Sequence, residues 1–345
     1  MRPARTTERA FRFARGVRLA GTNIACDTPG GADELVFLSH AQALGALGRQ
    51  RALLRRTGRQ ELLVTEPTLA LLGPAGARLR RHALPAPFGR PFSLGELRVE
   101  LFSSGHLPGA ASLLVEGRGR RLVYAGTIGA GRPGFGSTPA ELRPADALCL
   151  DATFGDPRYV FPPAEAALAQ ACAFAAEAAA AGLAAILLTP AFGSGLEVAA
   201  ALIAGGFAVR GHRAVLAAAT AFRAAGVAVP TITRFAGKLA PREVLLWPPE
   251  AREAPQVARL GPARVAFVSG FSVDPAALAR VRADVAIPLS NQSDFPQLLA
   301  YIEATGAREI ALHRGQAEPF AAALRARGLD AYPLGPPRQM ELFRG

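Results

Sequence analysis

Residues 103–127 read SSGHLPGAASLLVEGRGRRLVYAGT, and the organisation of the chain follows from how this stretch is placed. Two short apolar runs, 112–116 and 121–125, flank a turn rich in glycine and arginine, so both read as strands. His106 stands in the loop before the first strand, and Thr127 ends the second. Working outward, similar β-rich segments fall at 35–39, 62–65, 97–104 and 147–150. From about residue 162 the pattern changes to helices near 163–181, 196–204 and 213–225, alternating with strands near 184–189 and 243–247. Beyond Pro262 come strands at 265–268 and 285–289, a helix at 295–305, a strand at 309–313, a helix at 318–327 and a last strand near 331–334. The expected fold class is therefore α/β, with a β-rich domain built from both ends of the chain (1–160 and 263–345) and an α/β module, 161–262, inserted between. No internal repeat or low-complexity linker interrupts it.

Composition narrows the function classes. At 345 residues the chain has ample apolar material for a packed core. Cys26, Cys149 and Cys172 are odd in number and far apart, which fits neither a disulfide framework nor a cysteine-rich zinc site and implies a reducing, cytoplasmic compartment. The most apolar stretch, 164–191, is mainly alanine and contains Glu165, Gln170 and Glu177, so it reads as a helix followed by a buried strand and no membrane association is expected. The formal net charge of +12 points to a polyanionic partner such as nucleic acid. Lys238 is the sole lysine, however, and such an arginine bias also fits codon usage in a GC-rich genome. Arg2, Arg5, Arg9, Arg12, Arg15 and Arg18 against Glu8 leave +5 within the first eighteen residues, so much of the charge is expected on a mobile arm.

A two-metal phosphodiesterase needs histidines and carboxylates converging from several loops, because two cations clamp the attacking and leaving oxygens. The chain has five histidines, and His40 in LSHAQALG and His106 in SSGHLPGAAS sit at strand ends in suggestive settings. His82 and His212 read as structural, surface or capping residues. From Asp27, through Ser39-His40-Ala41-Gln42-Ala43-Leu44-Gly45, Gly105-His106-Leu107-Pro108-Gly109-Ala110-Ala111 and Tyr124-Ala125-Gly126-Thr127, the motifs follow one order. The order continues through Asp151-Ala152-Thr153-Phe154-Gly155, Ser290-Asn291-Gln292-Ser293-Asp294-Phe295 and His313. In this the sequence resembles the metallo-β-lactamase-fold nucleases of the β-CASP group, most closely the bacterial DNA ligase-associated exonucleases, over about residues 26–334. The resemblance implies a four-layer αββα sandwich with an inserted β-CASP module.

It also implies a metal site that has lost its ligands. In the family, an HxH pair and the GH histidine hold one metal, a DH pair and the SDHAD histidine hold a second, and the TGD aspartate bridges them. Carried over, the first site keeps His40 and His106 but has Gln42, the second has Leu44, Gly45 and Gln292, and the bridge is Thr127. Asp27 carries over as a structural carboxylate, and Asp151 with His313 as a vestigial acid pair joined by a hydrogen bond. The expectation is a non-catalytic homologue with no cofactor, binding nucleic acid or an active nuclease, ligase or helicase partner in DNA repair or RNA processing. Two rival readings stand beside it: a remodelled hydrolase or exonuclease using His40, His106, Asp151 and His313, metal-free or holding one zinc weakly, and a purely structural subunit.

Overall fold

The computed structural model describes residues 8–31, 33–46 and 61–336, and for residues 44–46 the backbone alone. Its class is α/β, with three sheets among the described residues. The first sheet runs β1 (Phe11–Phe13), β2 (Val17–Leu19), β3 (Ile24–Cys26), β4 (Leu35–Phe37), β5 (Leu62–Val64) and β6 (Ala83–Pro85) in sequence order. The second collects β7 (Phe92–Leu94), β8 (Leu97–Ser103), β9 (Ala111–Gly117), β10 (Arg120–Gly126) and β11 (Ala147–Asp151), then β18 (Glu309–His313) and β19 (Asp330–Leu334) from the far end of the chain.

Strand alternation explains why β9 and β10 read as continuous apolar runs. Leu113, Val115 and Tyr124 face a core shared with Phe37 and Leu63 of the first sheet. Leu114, Val123 and Leu148 face the opposite way, against Leu298, Ile302, Phe320 and Leu324 of the helices Phe295–Thr305 and Ala317–Arg325. Both faces of the second sheet are thus covered, so neither needs polar residues. On the outer face of the first sheet, Val36, Leu62 and Val64 pack on Leu69 and Leu79 of the helices Glu66–Leu71 and Pro74–Leu79. The layers therefore run helix, sheet, sheet, helix.

The third sheet is wholly parallel, in the order β14 (Thr233–Arg234), β13 (Ala208–Gly211), β15 (Glu243–Trp247), β12 (Ala184–Leu188), β16 (Ala263–Val268), β17 (Val285–Ile287). Helices Ala164–Ala180, Ser194–Ala204 and Arg213–Ala224 cover one face. No helix among the described residues is long and apolar enough to cross a membrane. The expected module boundary at residue 262 needs correction, because β16 pairs with β12 and β17 with β16. An apolar strand buried on both faces looks the same in sequence whichever sheet it joins, and pairing register decides its place.

The N-terminal arginines are also not all on a mobile arm. Arg12 and Arg18 lie in β1 and β2, Arg9 pairs with Asp330 and lies 4.2 Å from the Tyr332 ring, and Arg18 donates to Glu34 at 2.7 Å. Arg2 and Arg5 fall outside the described residues.

Candidate functional site

The parallel pairing of β11 with β18 sets Asp151 opposite His313, bringing together residues more than 160 positions apart. Beside them, β10 shifts register between Tyr124 and Gly126, and this bulge delivers Thr127 to the same end of the sheet. Thr127 Oγ1 donates to Asp151 Oδ2 at 3.1 Å. The other carboxylate oxygen accepts from Thr153 N at 2.8 Å and Thr153 Oγ1 at 2.5 Å. The position where the resemblance implies a bridging carboxylate is thus a hydroxyl that has already found a partner.

Arg314 completes the ring around Asp151. It follows β18 in the left-handed conformation, φ 64°, and its Nη1 lies 3.4 Å from Asp151 Oδ2. The expected hydrogen bond between Asp151 and His313 is not formed. Asp151 is taken by Thr153, Thr127 and Arg314, while His313 Nε2 is buried without a hydrogen-bond partner and the ring stacks on Tyr124 at 5.6 Å. Adjacent positions on parallel strands share a register, but side-chain bonds depend on the donors that the following loop supplies.

His40 and His106 meet edge to face, with ring centroids 5.1 Å apart. Burial lowers the His106 pKa to about 4, against a backbone bond to Asn291 that favours the charged form. His313 is lowered to about 4 and His40 well below its ordinary value, again chiefly by burial. All three rings are therefore neutral at pH 7, and their tautomers follow from their partners. His106 Nδ1 must donate to the Asn291 carbonyl at 3.2 Å, which leaves Nε2 as an acceptor. Its contact with the Gln42 amide, 3.2 Å, then requires the amide to present its NH₂ group. Gln42 caps the lone pair that a metal would otherwise take.

Asp27 anchors the Ser39–His40 side of the cluster. It lies just past β3 at φ 49° and accepts from Ser39 N at 2.8 Å, Ser39 Oγ at 2.5 Å and Tyr124 OH at 2.9 Å. Burial raises its pKa, and the bonds from Ser39 oppose the shift. Because the Ser39 hydroxyl gives its proton to Asp27, its oxygen accepts from His40 Nδ1 at 2.7 Å. His40 Nε2 is then the unprotonated nitrogen.

The other expected positions are less central. Gln292 lines a neighbouring cleft of about 420 Å³ with Arg132 and Phe161, and it is the preceding residue, Asn291, that touches His106. Gln42 is exposed in the helix Ala41–Ala46 and opens on a cleft of about 600 Å³ beside Phe192, Phe271 and Arg280. For Leu44 and Gly45 the backbone alone is described. His82 bonds to Arg81, and His212 caps the helix Arg213–Ala224 through Nδ1. Among the described residues no group of three or more His, Cys, Asp and Glu side chains is arranged to hold a metal ion. Arg314, Asn291 and Ser39 were missed as site residues. The one available signal for Arg314 was a cation directly after a strand-end histidine and before a glycine.

No family model matches the chain. It is similar to a probable DNA ligase of Opitutus terrae, 31% identical over 285 residues, which are 82% of this chain and 28% of that protein. It is also similar to a ribonuclease of Thermus thermophilus, 29% identical over 140 residues, which are 36% of this chain and 32% of that protein. The two relatives fit a nuclease family. The chain spans about a third or less of the length of each.

Proposed function

We propose that this chain is a metallo-β-lactamase-fold, β-CASP-type exonuclease homologue that does not turn over as a two-metal enzyme and acts as a nucleic-acid-binding or partner subunit in DNA repair or RNA processing. The helix–sheet–sheet–helix layering, the parallel module inserted between β11 and β18 and the two relatives support the family reading. One observation carries the loss of turnover: Gln42 caps His106, Thr127 bonds to Asp151, and Arg314 stands beside that carboxylate.

The test is cleavage of single- and double-stranded DNA and RNA with added zinc or manganese. No turnover is expected from the protein as it stands or from any single back-substitution, because ligands of one site act together. Chelator-sensitive cleavage that disappears in His106→Ala would overturn the proposal. The combined variant Gln42→His, Leu44→Asp, Gly45→His, Thr127→Asp, Gln292→His is expected to bind metal. Nucleic-acid binding is read separately from fluorescence anisotropy against salt, where a steep fall of affinity with salt marks phosphate contacts.

The unprotonated Nε2 of His40 and the buried His313 Nε2, which has no hydrogen-bond partner among the described residues, favour a second reading, a hydrolase holding one zinc. One equivalent of metal retained through dialysis would select it.

A further inference from the structure

The resemblance implies two divalent cations in this pocket, and the residues present do not fit them. The pocket nevertheless keeps a buried carboxylate. Asp151 is 5% exposed, and a carboxylate removed from water needs either a cation or several donors. Thr153 and Thr127 supply neutral donors. Arg314 is the cation that faces this group. Its Nη1 lies 3.4 Å from Asp151 Oδ2.

The backbone fixes that placement. His313 ends β18, and Arg314 and Gly315 follow at φ 64° and φ 42°. A Cβ on Gly315 would lie 2.3 Å from Thr153 Cα, so the turn is pressed against the loop that holds Asp151. An arginine held in the left-handed region is uncommon, and such a conformation persists only where surrounding contacts impose it. The side chain remains 34% exposed, so the guanidinium keeps part of its hydration while facing the carboxylate.

We propose that Arg314 is the resident cation of this pocket: its guanidinium supplies the positive charge for Asp151 that metal would supply in a site of the two-metal kind, and so keeps divalent cations out, given that the pocket corresponds to such a site. A fixed positive charge beside this buried carboxylate repels a dication at short range.

The experiment compares the full chain with Arg314→Gly, Arg314→Lys and Asp151→Asn, measuring Tm with and without zinc or manganese and metal content after dialysis. The glycine variant suits the left-handed backbone and removes the charge, so its Tm is expected to fall by roughly 5 °C. Millimolar zinc or manganese should restore part of that loss while leaving the parent protein unchanged. Arg314→Lys should lose less than Arg314→Gly, and Arg314→Gly placed on Asp151→Asn should cost much less than on the parent, because the carboxylate is then gone. The inference fails if Arg314→Gly keeps the parent's Tm, if its loss is the same on Asp151→Asn, or if it shows no response to either metal. If instead the parent protein retains stoichiometric metal and loses Tm on chelation, the proposed function fails as well, which separates the two.

Discussion

Two carboxylates of this cluster, the partly buried Asp27 and the buried Asp151, are held by different means. Asp27 is bound only by neutral donors, two from Ser39 and one from Tyr124, and burial raises its pKa. Asp151 has neutral donors from Thr153 and Thr127 and, in addition, the Arg314 guanidinium. The Asp27 side ties β3, the loop after β4 and β10 together, so its donors are interior groups of the sandwich. The Asp151 side meets solvent through Arg314. The difference teaches that in one pocket a carboxylate can serve as a backbone tie or as one half of an ion pair, and that each role leaves its own signature in stability.

The largest expected effect sets the histidines against Asp27. His106 and His313 titrate near about 4 and His40 well below its ordinary value, so the unfolded chain takes up protons that the folded chain refuses. Their contribution is complete above about pH 6.5 and is lost as the pH falls, by up to about 3 kcal/mol for each of His106 and His313 on the way to pH 4, with His40 acting in the same direction. Asp27, with its raised pKa, acts in the other sense, adding stability at low pH that is lost as the pH rises through its folded value. Urea unfolding from pH 7 to 4 should therefore show a steep net loss, made steeper by Asp27→Asn. A flat profile would break this picture.

Truncation of the carboxylates comes next. Asp27→Ala should cost about 3–4 kcal/mol, because it strands three buried donors. Asp151→Ala strands three neutral donors as well, from Thr153 and Thr127, and leaves Arg314 without its carboxylate, so it should cost more, about 4–5 kcal/mol. Equal losses in chemical denaturation would erase the distinction between the two sides. Tyr124→Phe removes one of the three bonds to Asp27 and should cost about 1 kcal/mol, still readable as a shifted denaturation midpoint. Gln42→Ala is the smallest, within about 0.5 kcal/mol, because the side chain is exposed. Its informative readout is the His106 ring by NMR, which should lose the shift pattern of a capped Nε2.

Much of the chain was legible one segment at a time. The strands at 97–103, 111–117 and 120–126 and the helix Phe295–Thr305 have local causes: apolar runs closed by glycine turns, and the capping box that Asp294 forms with Gln297. Seven of the expected positions, Asp27, His40, Gln42, His106, Thr127, Asp151 and His313, are joined by contacts with one another or with Ser39 and Tyr124, since strand-end motifs are delivered by the sheet they end. Gln292 turns instead into the neighbouring cleft, and the sheet to which 263–287 belongs was misjudged.

By itself, the sequence determined the α/β class and which strand ends carry polar residues, because hydrophobic period and turn chemistry act over a few residues. Tertiary structure decided what those residues do. That Asn291 and Gln42 fix the His106 tautomer, that Ser39 joins Asp27 to His40, and that Arg314 turns onto Asp151 all depend on long-range strand pairing and a left-handed turn. Hydrogen-bond partners and buried charges are set by distances between atoms far apart in the chain, and no local pattern encodes those distances.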